Sequence, residues 1–119
     1  MGYRVVQVRN QYKKDYLAFR ELLGEFENNS LQEISGNGYS GNLYVRIVET
    51  LYQSKFGKKH KPLSKKVGKP HLNVELRMLC QLDIAHYDKF KRYTLNRKGR
   101  RFYMALSSLM QNETFKSTK

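Results

Sequence analysis

Between residues 11 and 28, aromatic and aliphatic side chains recur at Tyr12, Tyr16, Phe19, Leu23 and Phe26, at spacings of four, three, four and three. That period predicts one apolar stripe along an α-helix, and Leu22 widens it. Asn28, Asn29 and Ser30 stop the pattern, because short polar side chains compete with the helix for backbone hydrogen bonds. Ahead of it, the β-branched run at residues 3–8 reads as a strand or an extended arm. A second helix is predicted over residues 42–53. Leu43, Ile47, Val48 and Leu51 form its buried face and Asn42 its N-cap. The stretch before it holds Gly36, Gly38 and Gly41 within six residues, the mark of a loop or hinge. Gly57 follows as a stop.

The second half of the chain alternates more quickly. A short helix is expected over residues 62–68, with Pro62 near its first turn and Gly68 as a left-handed cap. The next helix runs over residues 70–82. Leu72, Leu76 and Leu79 lie on one side with Cys80 beside them. Asn73, Val74, Arg77, Met78 and Gln81 face the other way. Residues 84–87 and 93–95 read as two short strands around a basic tip, Asp88-Lys89-Phe90-Lys91-Arg92, which lacks the usual turn glycine. Asn96 is expected to cap a last helix that buries Phe102, Ala105, Leu106 and Leu109, with a frayed polar tail from Asn112. The fold class is therefore mainly α with a small β-hairpin. Residues 1–40 form an N-terminal arm and helix, 41–111 the main unit, and 112–119 the tail.

Charge changes the picture. The 119-residue chain carries a formal net charge of +13. Residues 1–54 are neutral overall, whereas residues 55–101 hold fifteen basic and three acidic side chains. So uneven a distribution points to a polyanionic partner, nucleic acid before an anionic membrane surface, that meets the 55–101 segment. One cysteine excludes an internal disulfide framework and a cysteine-based zinc finger. Cys80 reads as a core filler. No apolar run approaches the length of a membrane span, and the first ten residues lack a signal-peptide core. The simplest setting is a soluble, cytoplasmic, nucleoid-associated protein.

Two stretches carry a family resemblance. Leu76-Arg77-Met78-Leu79-Cys80-Gln81-Leu82-Asp83-Ile84-Ala85 resembles the end of a recognition helix entering the first strand of a wing. Tyr93-Thr94-Leu95-Asn96-Arg97-Lys98-Gly99-Arg100-Arg101-Phe102 is similar to the run that leaves a wing and opens the following helix. Together they resemble the winged helix-turn-helix DNA-binding superfamily of small regulators, over a little more than half the chain. Asp83 stands where that superfamily often has glycine, and Asn96 where it has threonine. Residues 1–40 lie outside the resemblance.

The resemblance implies a major-groove helix with Asn73 and Arg77 on its outer face. Asn pairs bidentately with adenine and Arg with guanine, and Val74 suits a thymine methyl group. His71, near the helix start, is a further candidate for a base or a phosphate. Lys65, Lys66 and Lys69 are expected at phosphates, and Lys89, Lys91 and Arg92 at the wing contact. Glu75, beside the reading face, would repel phosphate. Tyr12, Tyr16, Phe19, Leu23 and Phe26 are candidate dimerisation residues. A homodimer would place two recognition helices about 34 Å apart on double-stranded DNA. The function expected is a dimeric, sequence-specific transcriptional regulator, a repressor by promoter occlusion. A plasmid or viral partition or replication protein is the first alternative, an RNA-binding or ribosome-associated module the second, and an adaptor for an acidic protein the third. His60, His71 and His86 have no metal-ligand spacing, and no phosphate-binding glycine loop occurs, so neither catalysis, metal nor cofactor is expected.

Overall fold

The computed structural model describes the backbone of residues 2–31 and 41–117 and the side chains of residues 13–31 and 41–109. The apolar stripe lies on α1 (Gly2–Glu27). The helix begins well before the stripe and takes in residues 3–8, which the sequence reading gave to a strand or arm. Val5, Val6 and Val8 alternate with Arg4 and Gln7 and no glycine or proline interrupts them after Gly2. Adding residues to an existing helix avoids the nucleation cost, so modest propensity suffices. At the other end Asn29 adopts a left-handed φ of 59°. Its N–H reaches Phe26 O at 3.1 Å, and Ser30 N–H reaches Glu25 O at 2.8 Å. This pair of bonds closes the last turn and satisfies its carbonyls.

α2 (Leu43–Tyr52) starts where the Asn42 side chain accepts the N–H groups of Tyr44 and Val45. The same side chain donates to Asp15 O at 2.8 Å, and the Asp15 carboxylate accepts Leu43 N–H at 3.0 Å. α1 therefore supplies a negative group to the positive end of α2, besides its apolar face. α3 (His60–Val67) ends at Gly68, left-handed at φ 90°, as expected. α4 (Asn73–Gln81) is shorter than expected at its start. Pro70 and His71 belong to the turn, since Leu72 is fully buried and directs the chain inward before the helix begins. β1 (Ala85–Tyr87) and β2 (Tyr93–Leu95) pair antiparallel, with Tyr87 opposite Tyr93 and Ala85 opposite Leu95.

α5 (Arg97–Ser117) continues through most of the segment expected to be a polar tail. No glycine or proline falls between Arg100 and Ser117, so nothing in the sequence breaks it. Asn96 departs from its expected role. Its carbonyl accepts Arg100 N–H at 3.0 Å, the first bond of the helix. Its side chain turns back onto the hairpin, donating to Asp83 Oδ1 at 3.0 Å and Ala85 O at 3.2 Å and meeting His86 Nδ1.

One buried cluster joins all of this. Phe19, Leu22, Leu23 and Leu31 sit in the same core as Ile47, Leu51, Leu63, Leu76, Leu79, Ile84, Phe102 and Leu106. α2 is the central element, packing against α1, α3, β2 and α5. The expected boundary near residue 40 thus does not separate two cores. Nor is the α1 stripe a free dimerisation surface. Phe19 and Leu23 are buried and Tyr16 and Phe26 pack against the same core. Phe19 meets the rings of Tyr44 and Phe102, each with centroids 5.4 Å away. The stripe packs on its own chain because a domain this small needs a large contiguous apolar face to complete its core. The side chain of Tyr12 lies outside the described residues, as does most of the glycine-rich loop.

Candidate nucleic-acid interface

α3, the following turn and α4 form the first part of the site. Gly68 turns the chain after α3, and Leu72 anchors the start of α4 in the core. His60 Nε2 accepts the Leu72 N–H at 3.1 Å, which ties the first turn of α3 to the start of α4. The outer face of α4 presents Asn73, Val74, Arg77 and Gln81 to solvent, and His71 is exposed just before it. Val74 is 60% exposed, a large apolar side chain on an otherwise polar face. Met78, expected on this face, is instead half-buried against the core.

Glu75 and Lys69 both depart from expectation. Glu75 points inward and is only 3% exposed. Lys69 Nζ pairs with Glu75 Oε2 at 3.2 Å and also donates to the His71 carbonyl. Its charge is therefore already paired inside the chain. Among the described residues Glu75 Oε1 has no hydrogen-bond partner, so the Lys69 ammonium is the main compensation for this buried carboxylate. The consequence favours an anionic ligand. The only acid on α4 faces away from its outer surface, and that surface keeps the exposed Arg77. Lys65 and Lys66, in the last turn of α3, are exposed.

The end of α4 shows why Asp83 can stand where glycine is common. Asp83 is left-handed at φ 62°. Its N–H bonds to Cys80 O at 3.1 Å, and Ile84 N–H bonds to Leu79 O at 3.0 Å. Ile84 and Leu79 are both fully buried, so this is a complete Schellman ending with its apolar contact. Gly99 completes the junction. A Cβ there would run into the Ile84 carbonyl, so only glycine lets α5 approach the α4–β1 link this closely.

The hairpin is fixed by side chains rather than by a turn glycine. Asp88 Oδ1 accepts Phe90 N–H at 2.8 Å and Arg92 N–H at 3.0 Å, while Asp88 N–H bonds to Arg92 O at 2.9 Å. Lys91 takes the left-handed position at φ 62°. Lys89 and Lys91 are exposed and Arg92 is half-buried. A feature missed in the sequence is a bridge from Lys58 to Tyr93. Lys58 N–H reaches Tyr93 O at 3.0 Å, and Tyr93 N–H reaches Lys58 O at 2.7 Å. It lays part of the lysine-rich segment beside the hairpin. The signal was Gly57, left-handed at φ 82°, where a Cβ would come within 2.6 Å of both Thr94 Oγ1 and Tyr93 O.

Cys80 is half-buried, and burial pushes its thiol pKa up. That is the setting of an inert, packed thiol. Among the described residues no three His, Cys, Asp or Glu side chains group as metal ligands. No helix among them is long and apolar enough to cross a membrane. No protein-family model, curated protein or solved structure matches the chain.

Proposed function

We propose that the protein is a winged helix-turn-helix regulator that binds double-stranded DNA. In this reading α4 enters the major groove, α3 supplies phosphate contacts and the hairpin serves as the wing. The observation that carries it is the outer face of α4. Asn73, Val74 and Arg77 stand exposed together there, while Glu75 is turned inward and neutralised by Lys69. Each exposed group has a base-edge partner in the major groove, and no carboxylate of α4 itself opposes the phosphates. Lys65, Lys66, Lys89 and Lys91 surround this face in the sequence and are all exposed. They position the duplex without reading it. A homodimer on a palindromic site, acting as a repressor by promoter occlusion, belongs to the same proposal. Its contact surface would lie away from the buried stripe of α1.

The test is fluorescence anisotropy against duplex DNA, duplex RNA and single strands over a salt series. Duplex DNA is expected to bind tightest. Affinity should fall by roughly 10³- to 10⁵-fold between about 50 and 200 mM salt if about six to ten phosphates are contacted. Replacing Lys65 and Lys66 by Gln should lower the logarithmic salt slope by about 1 per lysine. On a selected site, Arg77→Ala should cost about 1–3 kcal/mol and relax the preference at one base pair. Equal or better binding to RNA, or no binding near physiological salt, would sink the regulator reading.

A further inference from the structure

The hairpin tip carries a feature that phosphate contact alone does not require. Phe90 is 56% exposed at the point of the turn. Its ring has two cations over it, Lys89 Nζ and Arg92 Cζ, each 5.3 Å from the centroid. The residue is not on a loose loop, because Asp88 holds the N–H groups of Phe90 and Arg92 at once. A charged, solvated turn would be served by any polar side chain at this position. A large apolar ring there exposes surface that water disfavours.

We infer that Phe90 is a wedge that inserts between base pairs of duplex DNA. The inference rests on the DNA-binding reading and adds a deformation of the duplex to it. An apolar side chain pushed between base steps from the minor groove partly unstacks them and kinks the duplex. Phe90 has what that requires: a flat ring that can stack on a base, a mount fixed by hydrogen bonds, and two cations that cover the free ring and move off its faces when a base takes their place. With the ring between bases, Lys89 and Arg92 lie close to the phosphates that flank the step, where their charge offsets the unstacking cost. The segment's strong positive balance argues for this occupant over an apolar protein surface, since docking on protein would bury Lys89, Lys91 and Arg92 without counter-charge. The wedge also predicts selectivity away from the contacts of α4, because flexible pyrimidine–purine steps open most cheaply.

The chain contains no tryptophan, so Phe90→Trp creates a single tryptophan at the tip, excited selectively over the nine tyrosines. Binding to duplex DNA is measured by anisotropy of a dye on the DNA, and stacking by quenching of the tryptophan emission. A second readout is energy transfer between dyes on the two ends of the duplex, for the native chain and for Phe90→Ala. The inference expects strong quenching on duplex DNA and a shortened end-to-end distance with the native chain. It expects Phe90→Ala to lose that bend and bind about tenfold or more weakly, with an unchanged salt slope because every cation remains. Binding with unquenched tryptophan and an unbent duplex overturns the wedge and leaves the proposed function standing. Quenching on single strands alone overturns it too. No binding of the native chain to duplex DNA overturns both proposals.

Discussion

The N-terminal helix and the hairpin carry the same kind of side chain and put it to opposite use. Phe19 on α1 is fully buried, with ring neighbours Tyr44 and Phe102. Phe90 at the hairpin tip is more than half exposed, and its neighbours are Lys89 and Arg92. The difference lies in backbone geometry, not in the residue. A helical stripe repeats its aromatics toward one side, so each adds to a common buried surface. A five-residue turn has no inner side, and a ring at its point can only face outward. The largest effect expected from breaking this contrast is at position 19. Phe19→Ala should destabilise the fold by about 3–5 kcal/mol, transfer and cavity terms together. Phe90→Ala should shift stability by no more than about 0.5 kcal/mol. Urea denaturation of the two variants checks this, and comparable losses would show that the tip packs onto the domain.

Lysines repeat the contrast at close range. Lys66 and Lys69 are three residues apart across Gly68, yet Lys66 is exposed while Lys69 is paired with a buried glutamate. Removing Lys69 leaves Glu75 buried and uncompensated. Lys69→Met should therefore cost about 3 kcal/mol of stability, with little change in the salt slope of DNA binding. Lys66→Met should do the reverse. If Lys69→Met instead lowers the slope by about 1 and leaves stability alone, Lys69 is a phosphate ligand after all, and the pair with Glu75 opens on binding.

The order of elements from α2 to α5 was legible in the sequence because several of its boundaries have a local cause. Asn42 caps α2, Gly68 closes α3, and Asp83 takes the left-handed turn after α4. The outer face of α4 followed from its leucine spacing at Asn73, Val74, Arg77 and Gln81, but not at Met78, which packs against the core. What could not be read was set by contacts between distant segments. The inward turn of Glu75 depends on Lys69 reaching it across the turn. The return of Asn96 onto the hairpin depends on Asp83 and Ala85, more than ten residues away. The burial of the α1 stripe in the chain's own core needed knowledge of what α2 and α5 leave uncovered. Periodicity shows that a face is apolar, but the same pattern serves a core or a partner.

Tyrosines offer the finest test of inside against outside. Tyr44 is buried beside α1, and burial first, then the nearby carboxylate of Glu75, drives its hydroxyl pKa far above the usual tyrosine range. Tyr87 on the hairpin is 54% exposed. An unfolded chain releases the Tyr44 proton near its ordinary value of about 10, whereas the folded chain holds it. Above that pH the unfolded state binds fewer protons than the native one, so stability falls as pH rises. The contribution is fully present below pH about 10 and is lost above it, at up to about 1.4 kcal/mol per pH unit for one proton. Cys80, Tyr93 and Tyr103 are shifted in the same direction by their own burial and add to the slope. Urea denaturation at several alkaline pH values should therefore show a steep decline for the native chain. Tyr44→Phe should flatten it by close to one proton's worth. A Tyr44→Phe variant that keeps the native slope would mean that the interior does not hold this hydroxyl protonated, and the division between a structural interior and an exposed hairpin would fail where it is drawn most sharply.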